Sequence, residues 1–200
     1  MALAFCAALA LAMVVIAVFG LTDSGVRTAL ATTARFAFLL FWPAYAGGAL
    51  AVLWAPRFQG LKRSGRQFGL AFVSALAVHL SLVVVLCLLG APPDRRTFIF
   101  FGGAAACAYA LALFSIPRLR ETLSPRLWRL LSIVAMNYVA LAFITDFLNE
   151  PLGGGFKHVV AYLPFTALSL LGPLLRIASL VKATAQRRIF LLGQPGASNR

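Results

Sequence analysis

Acidic residues are scarce in this 200-residue chain, with five Asp and Glu against eighteen Lys and Arg, and charged residues make up only 12% of a sequence that is 62% hydrophobic. Water-soluble domains carry about 25% charged residues, so an ordinary soluble fold is excluded. Histidine is scarcer still: His79 and His158 are the only two. Any cofactor site that needs four imidazoles is therefore excluded. The three cysteines, Cys6, Cys87 and Cys107, are odd in number, form no C-x-x-C pair and all fall inside apolar runs. That pattern argues against disulfides and thiolate metal sites and leaves them as small packing residues. Strict alternation of apolar and polar residues is missing as well, which excludes a transmembrane barrel.

What the chain does have is apolar length. Six blocks of about 20 residues are each long enough to cross a hydrocarbon core about 30 Å thick. They lie near 3–22, 33–54, 67–90, 97–116, 129–148 and 158–180. Hydrocarbon offers no hydrogen bonds to open backbone groups, so such spans must be helices. The sequence predicts an all-α polytopic membrane protein, a single bundle of six transmembrane helices over residues 1–182 with a basic tail over 183–200. The first block has no Lys or Arg before it and stays apolar from Ala2 to Leu21. It is longer than the apolar core of a signal peptide and is expected to be a retained helix.

The net charge of +13 is explained by its placement. Arg57, Lys62, Arg63 and Arg66 lie between spans two and three, and Arg118, Arg120, Arg126 and Arg129 between spans four and five. Arg176, Lys182, Arg187, Arg188 and Arg200 occupy the last turn and the tail, whereas the opposite side holds only Arg27, Arg35, Arg95, Arg96 and Lys157. The positive-inside rule then puts both termini in the cytoplasm and the protein in the plasma membrane, as in a bacterial inner membrane. Membrane lipid is the natural partner of that charge, and nucleic acid is not expected. No Asp, Glu, Lys or Arg is expected deep in any span, which counts against an ion transporter.

Few groups inside the spans carry chemistry. His79 lies about 20 Å along span three from Arg66, in the outer half of the bilayer. A neutral imidazole there can ligate haem iron, carry a proton, or hydrogen-bond a neighbouring helix, and a satisfied packing group is the commonest outcome. His158 opens span six on the outer side, where it is an interfacial residue beside Lys157 or a second ligand. Asn137, midway along span five, is expected to hydrogen-bond across helices. Ser132 and Thr145 can return their hydroxyls to their own backbone. Asp94 is placed to cap the fourth helix. Gly47-Gly48 and Gly102-Gly103 permit close approach of a neighbour, and Pro43 and Pro164 should kink their helices.

The run Arg66-Gln67-Phe68-Gly69-Leu70, with His79 ten positions past the glycine, resembles the third helix of the ferric reductase-like transmembrane domain. The nearest branch is the bacterial haem-binding membrane subunit of the periplasmic methionine sulfoxide reductase system. The resemblance extends diffusely over about residues 25–180, with Leu123, Arg126 and Trp128 leading into span five. It implies b-type haem held between helices three and five, and electrons crossing the membrane to a redox partner protein or from a quinone. The family's two helix-five histidines fall here on Ser132 and Thr145, or on Leu131 and Ile144 in the neighbouring register. With those ligands absent, the resemblance implies at most one haem b on His79, with His158 as second ligand or with none, or ligation lost altogether. The expectation is thus a transmembrane oxidoreductase subunit without a flavin or nicotinamide domain of its own. The alternative is a haemless membrane scaffold or partner-binding subunit of the same fold.

Overall fold

The computed structural model describes the backbone of residues 1–152 and 156–192, and the side chains of residues 1–148 and 162–186. Among the described residues seven helices follow one another: α1 (Ala2–Phe19), α2 (Asp23–Leu53), α3 (Gln59–Leu88), α4 (Arg95–Phe114), the short α5 (Pro117–Arg120), α6 (Pro125–Leu152) and α7 (Phe156–Leu192). No strand occurs among the described residues. All except α5 contain a stretch long and apolar enough to cross a membrane. The chain is therefore an all-helical, six-span bundle.

Local chemistry sets the helix ends. Gly20 and Gly90 take positive φ values of 79° and 78°, backbone that other residues resist, and so close α1 and α3. The Thr22 side chain accepts from the Gly25 amide at 3.2 Å, and Asp23 pairs with Arg27 at 2.8 Å. This polar first turn starts α2 at Asp23, well before the apolar block that begins near residue 33. Apolarity marks where a helix enters hydrocarbon, whereas caps mark where it begins. Asp94 caps α4 as expected, accepting from the amides of Arg96 and Thr97 at 3.0 and 3.1 Å. A further bond from the Thr97 hydroxyl helps hold the exposed Asp94 carboxyl below the usual aspartate range. Pro43 lies within α2, and Pro164 and Pro173 within α7; both helices continue through them.

Helix α2 is the hub, packing against α1, α3 and α7, while α6 packs on α4 and α7. Helices gain little from leaving lipid, so close fit must hold them together. Gly47 brings α2 against Leu61, where an added Cβ would stand 3.1 Å from the Leu61 side chain. At Gly103 a Cβ would meet the Tyr138 hydroxyl at 2.9 Å, and at Gly172 the Tyr45 ring at 3.0 Å. Specific bonds fix the register between helices. Trp42 Nε1 donates to the Leu168 carbonyl at 2.8 Å, and the Thr166 hydroxyl to the Phe147 carbonyl at 2.9 Å. Lys182 Nζ donates to the Leu53 carbonyl at 3.0 Å, joining the end of α2 to α7 on the basic side.

Candidate functional site

His79 lies on α3 against α2, where its Nδ1 is 3.1 Å from the Thr33 hydroxyl. Thr33 is fully buried, and its hydroxyl reaches back to the Ala29 carbonyl at 2.9 Å. A hydroxyl has one proton to donate. Where that proton goes to the Ala29 carbonyl, Nδ1 is the donor and Nε2 the lone-pair atom; where it goes to His79, the two ring nitrogens exchange roles. Arg35, two residues further along α2, sits at the same level. Its guanidinium lies over the Tyr162 ring at 4.2 Å and the Phe165 ring at 5.7 Å, and its buried Nε has no hydrogen-bond partner. In the sequence this cation counts only as a charge on the outer side, at the edge of the span near 33–54.

Toward the basic side, phenylalanines fill the bundle axis. Phe38 of α2 meets Phe143 and Phe147 of α6 at ring separations of 5.2 and 5.0 Å. Phe41 bridges Phe72 of α3 at 5.3 Å and Phe143 at 5.4 Å, and Phe165 of α7 closes on Phe147 at 5.6 Å. Phe38 and Phe147 are each only 1% exposed. The α6 face turned toward α2 and α3 here is thus a tilted and stacked aromatic plug. Thr145, one of the positions that the sequence resemblance set against helix-five ligands, donates to the Leu141 carbonyl at 2.9 Å. Ser132, the other, donates to the Trp128 carbonyl at 2.8 Å, so both hydroxyls return to their own helix as expected.

Below the plug, α3 and α6 part. Between them, over α2 and alongside α4 and α7, a cavity of about 1520 Å³ extends to the basic side. Residues of α5 and of the turn into α6, including Pro117, Arg120 and Leu123, form its mouth. Four arginines line it, Arg66, Arg120, Arg129 and Arg176, against the single carboxylate of Glu121. Arg66 is fixed by bonds to the Ser115 hydroxyl and carbonyl, both at 2.9 Å, which tie the start of α3 to the end of α4. Arg120 stands over Trp128 at 5.6 Å. Deeper in, the Tyr45 hydroxyl donates to Asn137 Oδ1 at 2.8 Å, and Arg176 lies over the Tyr45 ring at 4.5 Å. Asn137 therefore does bridge helices, and its amide group remains exposed to the cavity.

These positions correct one expectation. Arg35 and Arg176 both reach into the apolar bundle, so cations do occur within the spans. Each is accommodated by aromatic faces rather than by a carboxylate, which a pattern of apolar blocks does not reveal. The Tyr45–Asn137–Arg176 group was only partly visible in the sequence, since its members come from α2, α6 and α7.

A six-coordinate b-type haem of the kind the resemblance implies needs two axial ligands facing each other across a flat slot. His79 satisfies half of the chemistry: a metal-bound imidazole holds its other nitrogen in a hydrogen bond, as Nδ1 is held here. It does not line the cavity, and the cavity walls contain no His or Cys. The aromatic plug occupies the axis between His79 and that cavity. His158 belongs to α7, but its side chain lies outside the described residues. No group of three or more His, Cys, Asp or Glu able to hold a metal gathers among the described residues. The described residues do not fit a haem held between α3 and α6. Comparison with protein-family models, with curated proteins and with solved structures finds no match to this chain, so the likeness to the ferric reductase-like domain rests on the residues quoted for it.

Proposed function

We propose that this protein is a haem-free membrane scaffold or partner-binding subunit, seated in the bacterial inner membrane with both termini in the cytoplasm. One observation carries the reading: the imidazole and the open volume are in different places. His79 is bonded to Thr33 beside α2, while the cavity that could admit a large group is walled by arginines, apolar side chains and Asn137. On this reading the chain keeps the bundle of the ferric reductase-like proteins it resembles and lacks their redox centre.

A second reading retains one haem on His79. Its support is the hydrogen bond at Nδ1, which in the tautomer protonated there leaves Nε2 as a ligand atom. Oxidised and dithionite-reduced visible spectra of protein purified from haem-supplied cells separate the two. The scaffold reading predicts no Soret band above background. Sharp α and β bands on reduction, lost in His79→Leu, would establish the haem reading in its place.

A further inference from the structure

We propose that the cavity between α3 and α6 holds one anionic phospholipid drawn from the leaflet on the basic side, its phosphate on the arginines and an acyl chain along the apolar walls. The inference rests on the scaffold reading, which leaves this volume to an amphiphile rather than to a cofactor.

Charge is the first argument. Arg66, Arg120, Arg129 and Arg176 share the cavity with a single acid, Glu121. The only ion pair between side chains among the described residues is Arg27–Asp23, at the start of α2 and away from the cavity. Guanidinium groups bind phosphate through paired, charge-assisted hydrogen bonds, and basic pockets between membrane helices select anionic headgroups. Arg66 is already oriented by its two bonds to Ser115, which reduces the ordering that binding would require.

Depth is the second. The cavity continues past the basic rim to Phe41, Phe72 and Val73, so its polar end is followed by an apolar channel. This sequence of chemistry matches a headgroup followed by a chain. The third argument is Asn137. Its Oδ1 accepts from Tyr45, yet among the described residues its amide nitrogen has no hydrogen-bond partner, and Asn137 lines the cavity near the middle of α6. A polar donor left open at that depth is costly unless something accepts from it. A lipid ester carbonyl is such an acceptor.

Native mass spectrometry from micelles containing equal phosphatidylglycerol and phosphatidylcholine tests this. The wild type should retain one phosphatidylglycerol per chain in preference to phosphatidylcholine. Arg120→Gln with Arg129→Gln should lower that retention on the order of tenfold, as the loss of two phosphate-binding cations implies. Arg118→Gln with Arg126→Gln removes the same charge from the same side without touching the cavity lining, and should leave retention unchanged. Equal retention of the two lipids, or equal losses in the two double variants, would overturn the site. So would displacement of the bound lipid by glycerol 3-phosphate as effectively as by short-chain phosphatidylglycerol, since the ligand would then be a free phosphorylated solute. A haem spectrum would refute the scaffold reading separately, without changing what lipid is retained.

Discussion

Truncating Phe147 to Ala removes the ring that meets Phe38, Phe143 and Phe165 at 5.0, 5.9 and 5.6 Å. In a soluble core such a change costs about 3–5 kcal/mol, part of which is the loss of transfer from water. Here the unfolded reference is itself in lipid or detergent, so the packing and void terms remain and the transfer term largely drops out. An unrelaxed void of about 100 Å³ at about 24 cal/mol per Å³ gives ~2.4 kcal/mol. For a chain of this size that corresponds to a fall of roughly 5–10 °C in melting temperature. The assay is thermal unfolding in detergent, followed by tryptophan fluorescence, with Leu174→Ala as control because Leu174 is 62% exposed on α7. A Phe147→Ala shift no larger than that of Leu174→Ala would refute the closed aromatic plug, and with it the argument that the bundle axis has no room for a macrocycle.

Tyr45→Phe keeps the ring under Arg176 but removes the bond to Asn137, and should cost about 0.6–1.7 kcal/mol in the same melt. Thr33→Val removes the hydrogen-bond partner of His79 Nδ1 while preserving shape; it should destabilise by about 1 kcal/mol, and restoration of stability by a second change, His79→Leu, would confirm that the two are coupled. The Asp94 cap has a sign that pH can read. Its folded carboxyl titrates below the ordinary aspartate value, so its contribution is present above that value and lost as pH falls through the lower folded one. Asp94→Asn should flatten that acid-side loss, and an unchanged acid profile would contradict the cap's electrostatic role. Reporter fusions after Leu123 and after Lys182 should both report cytoplasm; an external signal at either would reverse the topology.

Much of the architecture was legible because hydrocarbon leaves one solution for an apolar block of this length. The six spans, the α4 cap at Asp94 and the cross-helix role of Asn137 followed from pattern and local chemistry. Helix starts were less legible: α2 begins at Asp23 through capping and an ion pair, where hydropathy is silent. Cations were misplaced for a different reason. Arg35 and Arg176 are tolerated by the faces of Tyr162 and Tyr45, residues far away in sequence. The cavity was not legible at all, because it exists where α3 and α6 fail to pack, and separation between two helices leaves no mark on either one. His79 shows the limit of reading a site from one residue: the same imidazole suits a haem or a threonine, and the partner that decides is on α2.

The most direct test of the scaffold reading is the ratio of haem to protein, measured by the pyridine haemochrome method on wild type and His79→Leu purified in parallel from cells supplied with haem. The account predicts negligible haem in both. A wild-type ratio approaching one haem per chain, abolished in His79→Leu, would contradict it and return His79 to the centre of an electron-transfer protein.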